Sequence, residues 1–314
     1  MVEVEADIRL THATDGADCG ADAIAVVGPG AIGTTIAAVL HEAGRTPRLY
    51  GRSHRESLTL RVGDEVVRVP GPVTTDPASA APADVVFLAV KATQLEAAAS
   101  AWLAALCRPG TVVCALMNGV EQTAALGPFL PPAASALPSV VWFPAQANPD
   151  GTVLLRGDPH LSIPASTGST RVVEALDGTR CRVDVAPDFP ALAWRKLLQN
   201  AAAGLMALTG RRAGVFARAD VAELTLSYLH ECLAVARAEG AALDDGVPAD
   251  ILSRFQAFPA DMSTSILTDR EAGRPLEWDI RNGVVSRLGR RHGIPTPLSD
   301  VVATLLAAAS DGPG

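Results

Sequence analysis

The stretch from Ile24 to Arg52 limits the fold of this chain more than any other. It reads Ile24-Ala25-Val26-Val27, then Gly28-Pro29-Gly30-Ala31-Ile32-Gly33, then an apolar run from Thr34 to Ala43 closed by Gly44, then Leu49-Tyr50-Gly51-Arg52. Four β-prone residues, a glycine turn, a helix and a second strand form one βαβ unit. In such a unit the first glycine permits a tight turn and the second lets the backbone approach a pyrophosphate. The third lets the helix pack on the strand. The helix N-terminus offers unbonded N–H groups and partial positive charge to the anion. Glycine turns alone are common. The strand before and the helix after make Gly28, Pro29, Gly30, Ala31, Ile32 and Gly33 a predicted dinucleotide-phosphate turn.

The end of the second strand bears on which dinucleotide. NAD sites place an acid about 20 residues beyond the glycines, on the ribose 2′-hydroxyl. Here the chain reads Gly51-Arg52-Ser53-His54-Arg55, with no acid before Glu56. The planar fork of Arg52 suits a 2′-phosphate, and Ser53 can donate a hydrogen bond. The expected cofactor is therefore NADP(H), that is NADPH for a reduction. The competing reading of Arg52 is a solvated basic loop.

At 314 residues the chain can form two domains with a large core. With 48% hydrophobic and 19% charged residues it is globular rather than disordered. A net charge of -8 argues against a nucleic-acid or membrane-surface partner, while leaving an anionic substrate to local Lys and Arg. Cys19, Cys107, Cys114, Cys181 and Cys232 are scattered without a CxxC, as are the histidines, so neither disulfides nor a metal site is expected. Buried thiols in a reducing cytoplasm are the expectation. The acidic start (Glu3, Glu5, Asp7) is no signal peptide, and no apolar run reaches membrane length.

Strand and helix signals alternate through the first half. Val85–Val90 and Thr111–Ala115 read as buried parallel strands, and Thr93–Leu106 as a helix between them. Leu58–Val62 and Glu65–Val69 flank Gly63-Asp64 as a hairpin, and residues 136–186 hold short strand-like pieces. A parallel sheet with an antiparallel extension is expected. Beyond Asp188-Phe189-Pro190 the signals are helical: Ala191–Leu208, Asp220–Glu239, Pro248–Phe258, Arg281–His292 and Pro297–Ala309. The predicted fold class is α/β: a Rossmann-type dinucleotide-binding domain over 21–188, then an all-helical domain over 189–314, with a loose extension over 1–20.

Four further segments carry polar groups where chemistry is expected. Val90-Lys91-Ala92-Thr93-Gln94 and Met117-Asn118-Gly119-Val120 follow predicted sheet strands, at the carboxyl ends where α/β sheets bind ligands. Lys91 can equally be a surface lysine, and Asn118-Gly119 an ordinary turn. In Trp194-Arg195-Lys196-Leu197-Leu198-Gln199-Asn200, Lys196 and Asn200 lie one helical turn apart. A lysine there can protonate a carbonyl oxygen during reduction; otherwise it snorkels. The fourth segment runs from Ser265 to Gly283 and includes Glu277-Trp278-Asp279. Ser265 can be a helix cap, and Glu277 an acid at a helix start.

These segments together resemble the ketopantoate reductase family, in order and spacing, over about residues 22–305. The similarity rests on the glycine motif, Val90-Lys91-Ala92 with Gln94, Asn118-Gly119, Trp194-Arg195-Lys196 with Asn200, Ser265, Glu277-Trp278-Asp279, Asn282-Gly283 and Gly293-Ile294-Pro295-Thr296-Pro297. The resemblance implies NADPH-dependent reduction of ketopantoate to pantoate, towards pantothenate and coenzyme A, in a cleft between the two domains. It implies Lys196 as general acid and Glu277 as the group that orients the substrate hydroxyl and the lysine. Asn118, Asn200 and Ser265 would bind substrate, and Lys91 would lie near nicotinamide and substrate. Lys91 and Asn118 would also contact the cofactor. The expected partner is a small 2-oxo acid; a homodimer is left open.

Two positions depart from the family. Gly204 stands where a further asparagine is usual, and Met117 where glutamine is. A glycine inside a helix costs about 1 kcal/mol relative to alanine. Close helix packing explains it, or room for a bulkier substrate with one hydrogen bond lost. The alternatives are thus a related reductase of another 2-oxo acid or ketone, and a non-catalytic NADP(H)-binding sensor.

Overall fold

The computed structural model describes residues 23–312. The extension expected over 1–20 lies outside the described residues, as does Cys19. Strand β1 (Ile24–Val27) is fully buried and leads through the glycine turn into helix α1 (Ala31–Glu42). The chain continues through β2 (Arg48–Tyr50), a hairpin of β3 (Ser57–Val62) and β4 (Glu65–Pro70), then β5 (Val73–Thr74) and β6 (Ala83–Leu88). Helix α2 (Leu95–Leu106), strand β7 (Cys107–Ala115), the short α3 (Gln122–Leu126) and β8 (Ser135–Pro138) follow.

Six of these strands form one parallel sheet in the order β5-β2-β1-β6-β7-β8. Counting only this sheet's strands along the chain, the order is 3-2-1-4-5-6, the doubly wound arrangement. Its switch point lies between β1 and β6, which pair from Ile24↔Val85 to Val27↔Leu88. The glycine turn leaves the carboxyl end of one strand, and Ala89-Val90-Lys91 leaves the other.

The antiparallel pieces are not an extension of this sheet, as expected, but two separate small sheets. The strands β9 (Val140–Val141), β10 (Ala145–Ala147), β11 (Val153–Leu155), β12 (His160–Pro164) and β13 (Arg182–Ala186) supply them. One sheet runs β10-β11-β3-β4 and the other β13-β12-β9. The first packs on α1, on the side away from the main sheet. That is why Ile36 to Leu40 of α1 are all at 0% exposure: the helix is covered on both faces, so its sequence is apolar all round. A helix unanticipated in this region, α4 (Ser169–Leu176), packs beside the main sheet.

From residue 189 the chain is helical. Asp188 caps α5 (Phe189–Thr209) by accepting the Ala191 N–H at 3.0 Å, and Gly210 ends it with φ 65°. Helices α6 (Ala219–Ala238), α7 (Val247–Ala257), α8 (Ser265–Glu271) and α10 (Pro297–Ser310) pack around α5, and α9 (Val284–His292) packs on α6 and α10. The helix predicted from Arg281 starts instead with a π turn over Asp279–Gly283, and that turn buries Arg281, Asn282 and Gly283 in succession. Three consecutive residues of a regular α-helix would point in directions about 100° apart.

Cys107, Cys114, Cys181 and Cys232 are free and buried, and burial pushes their thiols well above the usual range. Among the described residues no helix is long and apolar enough to cross a membrane.

Candidate active site

At the glycine turn each glycine has a distinct geometric reason. Gly28 takes φ +81°, and a Cβ there would lie 2.6 Å from the Val90 side chain. A Cβ on Gly33 would lie 2.5 Å from the Gly28 carbonyl oxygen. Around Gly30 nothing approaches within 4 Å, so the backbone stands open to a ligand. Gly30 is also the N-cap of α1 and has no side chain to satisfy the first-turn N–H groups, nor does an acid neutralise them. This open, N–H-lined concavity fits a dinucleotide pyrophosphate.

Arg52 lies just past β2, exposed, with no carboxylate partner among the described residues. Arg55, two positions beyond Ser53, donates to the Pro29 carbonyl at 3.3 Å and closes one wall of the turn.

The other predicted residues converge from distant parts of the chain. Glu277 is 7% exposed and accepts three hydrogen bonds. They come from the Ala92 N–H at 3.0 Å, Asn118 Nδ2 at 3.1 Å and Arg281 Nη2 at 2.9 Å. Burial pushes its carboxyl up, but the Arg281 charge and the three donors outweigh that and hold it below its ordinary value. The ionised carboxylate can only accept, so Asn118 must turn its NH₂ towards it. Asn118 Oδ1 then faces Asn200 Nδ2 at 3.2 Å, which leaves Asn200 Oδ1 without a donor among the described residues.

Lys196 and Asn200 line one cavity with Met117, Asn118, Gly119 and Ser139. Its empty space, open to solvent, is about 250 Å³. Lys196 Nζ sits 4.7 Å from the centre of the Trp142 ring and has no hydrogen-bond acceptor among the described residues. Burial, then the charges of Arg281 and Arg254, lower its pKa to about 8. The tryptophan face favours the ammonium but cannot accept its proton.

Some expectations need correction. Glu277 does not bond to Lys196; the three hydrogen bonds it accepts come from Arg281, Asn118 and the Ala92 N–H. Ser265 does not cap α8: it is the first helical residue, and its hydroxyl accepts from Arg281 Nη2 at 3.2 Å. Lys91 is no free cation, because it grips both oxygens of Asp269 at 2.7 and 2.6 Å, and Asp269 also pairs with Arg274 at 2.8 Å.

Gly204 does not open the substrate cavity. A Cβ there would lie 2.7 Å from Asn282 Nδ2 and 3.0 Å from Leu306, inside the helical core. Asn282 uses that nitrogen to bond Ala201 O at 3.1 Å and Tyr228 Oη at 2.9 Å. Each four-residue step along a helix overshoots a full turn by about 40°, so by Gly204 the face has rotated about 80° away from Lys196. Met117, by contrast, does line the cavity.

Trp142, Asp269 and Arg281 were not singled out from the sequence. Arg281 had a signal, standing four residues after Glu277 at helix pairing distance. Another signal was compositional. Of the 26 basic residues only two are lysines, Lys91 and Lys196. Arginine stays charged, whereas a buried lysine can release its proton near neutrality.

The chain matches the family described as "Ketopantoate reductase PanE/ApbA" over residues 24–168 and its "C terminal" counterpart over 188–310. It is 52% identical over 296 residues to a 2-dehydropantoate 2-reductase of Mycobacterium tuberculosis, covering 94% of this chain and 100% of the relative. A 2-dehydropantoate 2-reductase of Caulobacter vibrioides is 36% identical, with 91% and 99% covered. The solved PanE/ApbA family ketopantoate reductase from Ralstonia eutropha JMP134 superposes with a TM-score of 0.81 at 28% identity, covering 92% of this chain and 98% of that one. With its doubly wound sheet, its helical second half and the Lys196–Asn200 cavity, the chain belongs to the ketopantoate reductase PanE/ApbA family.

Proposed function

We propose that this chain reduces 2-dehydropantoate (ketopantoate) to pantoate, with NADPH as the preferred dinucleotide. One observation carries the reading: an ammonium, Lys196 Nζ, and an amide oxygen, Asn200 Oδ1, both unpaired among the described residues, line the same small cavity. A keto acid that also bears a hydroxyl offers what they lack, a ketone oxygen to accept from the lysine and a hydroxyl to donate to the amide. The cavity is below the usual range for drug-sized ligands, which suits a small acid. Lys196 and Arg281 against Glu277 leave local positive charge for a carboxylate, although the chain as a whole is acidic.

We assign cofactor binding to residues 21–188 and the substrate face to 189–314. The Gly28–Gly33 turn would hold the pyrophosphate, and Arg52 and Ser53 the 2′-phosphate. Asn118, Asn200 and Ser265 would hold the substrate. Lys91, locked by Asp269, would shape the edge where substrate and nicotinamide meet. The bound dinucleotide supplies the hydride. Lys196 supplies the proton that the ketone oxygen needs as its charge develops. A reducing cytoplasm is the setting that keeps the four buried thiols free.

The acid must be protonated to act, so kcat should be flat at lower pH and fall as pH rises through about 8. The deciding experiment is an NADPH-oxidation assay over a panel of 2-oxo acids. Ketopantoate should give the highest kcat/KM. Another acid exceeding it by roughly tenfold, a difference of about 1.4 kcal/mol in transition-state binding, would overturn the substrate assignment.

A further inference from the structure

Lys196 is held by something other than an anion. Among the described residues its Nζ has neither a carboxylate partner nor a hydrogen-bond acceptor. A lysine carries its charge on a flexible four-carbon stem, so an untethered ammonium would spend little time aimed at a bound ketone. What Lys196 does have is the ring of Trp142, whose centre lies 4.7 Å from Nζ.

The sheet β13-β12-β9 sets that ring in place. Strand β9 pairs antiparallel with β12 through Val140↔Ser162 and Val141↔Leu161, and the Trp142 N–H extends the ladder by donating to the His160 carbonyl at 2.9 Å. Residues two apart on a strand share a face, so Val140 and Trp142 point the same way. Val140 lines the Lys196 cavity and packs with Ala193, one turn before Lys196 on α5, and Trp142 packs against the same cluster. The indole N–H donates to Ser162 Oγ at 2.9 Å, and Ser162 is buried. The His160 ring stacks on the indole, 6.5 Å between centres and 23° between planes. Asp184 at 2.7 Å and Arg182 hold His160 in turn. The indole is thus fixed at its edge and by a stacked ring.

We propose that Trp142 is a positioning residue for Lys196: its ring holds the protonated ammonium in the cavity and leaves the N–H donors for the ketone oxygen. A carboxylate in its place would occupy those donors and hold the proton more tightly. An aromatic face attracts the charge and has no lone pair to compete for the proton. The attraction favours the charged lysine, against burial and the charges of Arg281 on the π turn and Arg254 on α7, which favour the neutral one. The cavity wall from Met117 to Val141 adds no titratable group, and those around the indole are His160, Arg182 and Asp184 on β12 and β13. This role rests on Lys196 being the proton donor of the proposed reduction, and adds the residue that aims it.

The chain has two lysines, which makes a direct test clean. Competitive acetylation with trace acetic anhydride across neutral to alkaline pH, read by mass spectrometry, titrates Lys196 and Lys91 separately in the full-length protein. In Trp142→Leu the Lys196 midpoint should fall by about one unit, and in Trp142→Phe by less, since a phenyl face attracts a cation more weakly than an indole. The Lys91 midpoint should hold. With ketopantoate, kcat of Trp142→Leu should drop about tenfold at near-native KM, and its alkaline limb should move to lower pH. An unmoved midpoint, or a rise, would show that the indole only excludes water, and would overturn the proposal. Fluorinated tryptophan, which draws electrons from the ring face at nearly constant size, gives a second measurement should the leucine variant not fold. It replaces all four tryptophans. The Lys196 midpoint should fall in the native chain and stay put in Trp142→Phe; equal shifts in both would remove Trp142 from the role. Because acetylation needs no turnover, a native protein that reduces no 2-oxo acid would sink the proposed activity while leaving this result readable.

Discussion

The glycine turn and the Lys196 cavity are built in opposite ways. The turn works by missing atoms: a Cβ would collide at Gly28 and Gly33 and would fill open space at Gly30. Six consecutive residues and the strand before them contain the whole device. The cavity works by added atoms gathered from afar. Asn200 meets Asn118 across 82 positions, Asn118 meets Glu277 across 159, and Lys91 meets Asp269 across 178. A site made of backbone is read from a short motif and tolerates little change. A site made of converging side chains leaves only scattered residues in the sequence, and its neighbours can be exchanged while the chemistry stays.

The largest expected effect falls on the side-chain site. Lys196→Ala should lower kcat by roughly 10²–10⁴, the usual range for a lost general acid, and should leave dinucleotide affinity near native. Turnover within a few fold of native would remove the lysine from the mechanism. On the backbone side, Arg52→Ala should weaken NADPH by roughly 10- to 100-fold, as expected for about 1.5–3 kcal/mol of charge-assisted hydrogen bonding, with NADH unaffected. Equal losses for both dinucleotides would show that Arg52 does not read the 2′-phosphate.

A paired substitution then separates structure from ligand at the turn. Gly33→Ala puts a methyl group 2.5 Å from a carbonyl oxygen of the backbone, which cannot swing aside. It should cost about 1–3 kcal/mol of stability, seen as a lower Tm of the ligand-free protein. Gly30→Ala meets nothing within 4 Å, so that Tm should hold while dinucleotide affinity falls. If both variants lost stability alike, the open space at Gly30 would have no ligand-binding meaning.

The same contrast explains what the sequence revealed. The parallel sheet, the glycine turn and most of the helical half were legible, because strand and helix periodicities and capping residues such as Asp188 are local. The two small mixed sheets were not separable from the main one, because β11 pairs in parallel with β3, some 90 positions earlier, and no local pattern records that choice. Lys196, Asn200, Asn118 and Glu277 were each visible as residues. Their mutual geometry was not: nothing in the sequence says that Glu277 is spoken for by Arg281, or that Lys91 is held by Asp269. The π turn hid Arg281, since helical periodicity does not place Arg281, Asn282 and Gly283 together on the buried side.

The smallest effect is the one that best divides the two regions, at Gly204. Motif reading left this position between close helix packing and room for a bulkier substrate, and the structure sets it under Asn282 in the helical core. Gly204→Ala gains about 1 kcal/mol of helix propensity. Against that, its methyl group would crowd Asn282 Nδ2 at 2.7 Å, and that nitrogen bonds both Ala201 O and Tyr228 Oη. Loosening one buried hydrogen bond costs about 1–3 kcal/mol, so the net loss in stability should be about 1 kcal/mol, a fall in Tm of a few degrees. The ranking of 2-oxo acids by kcat/KM should not move, because the added carbon never reaches the cavity. A changed ranking at unchanged Tm would place Gly204 back on the substrate face and undo the packing account. The expected pattern, lower Tm with the same ranking, would leave Met117 as the one family departure that borders the cavity.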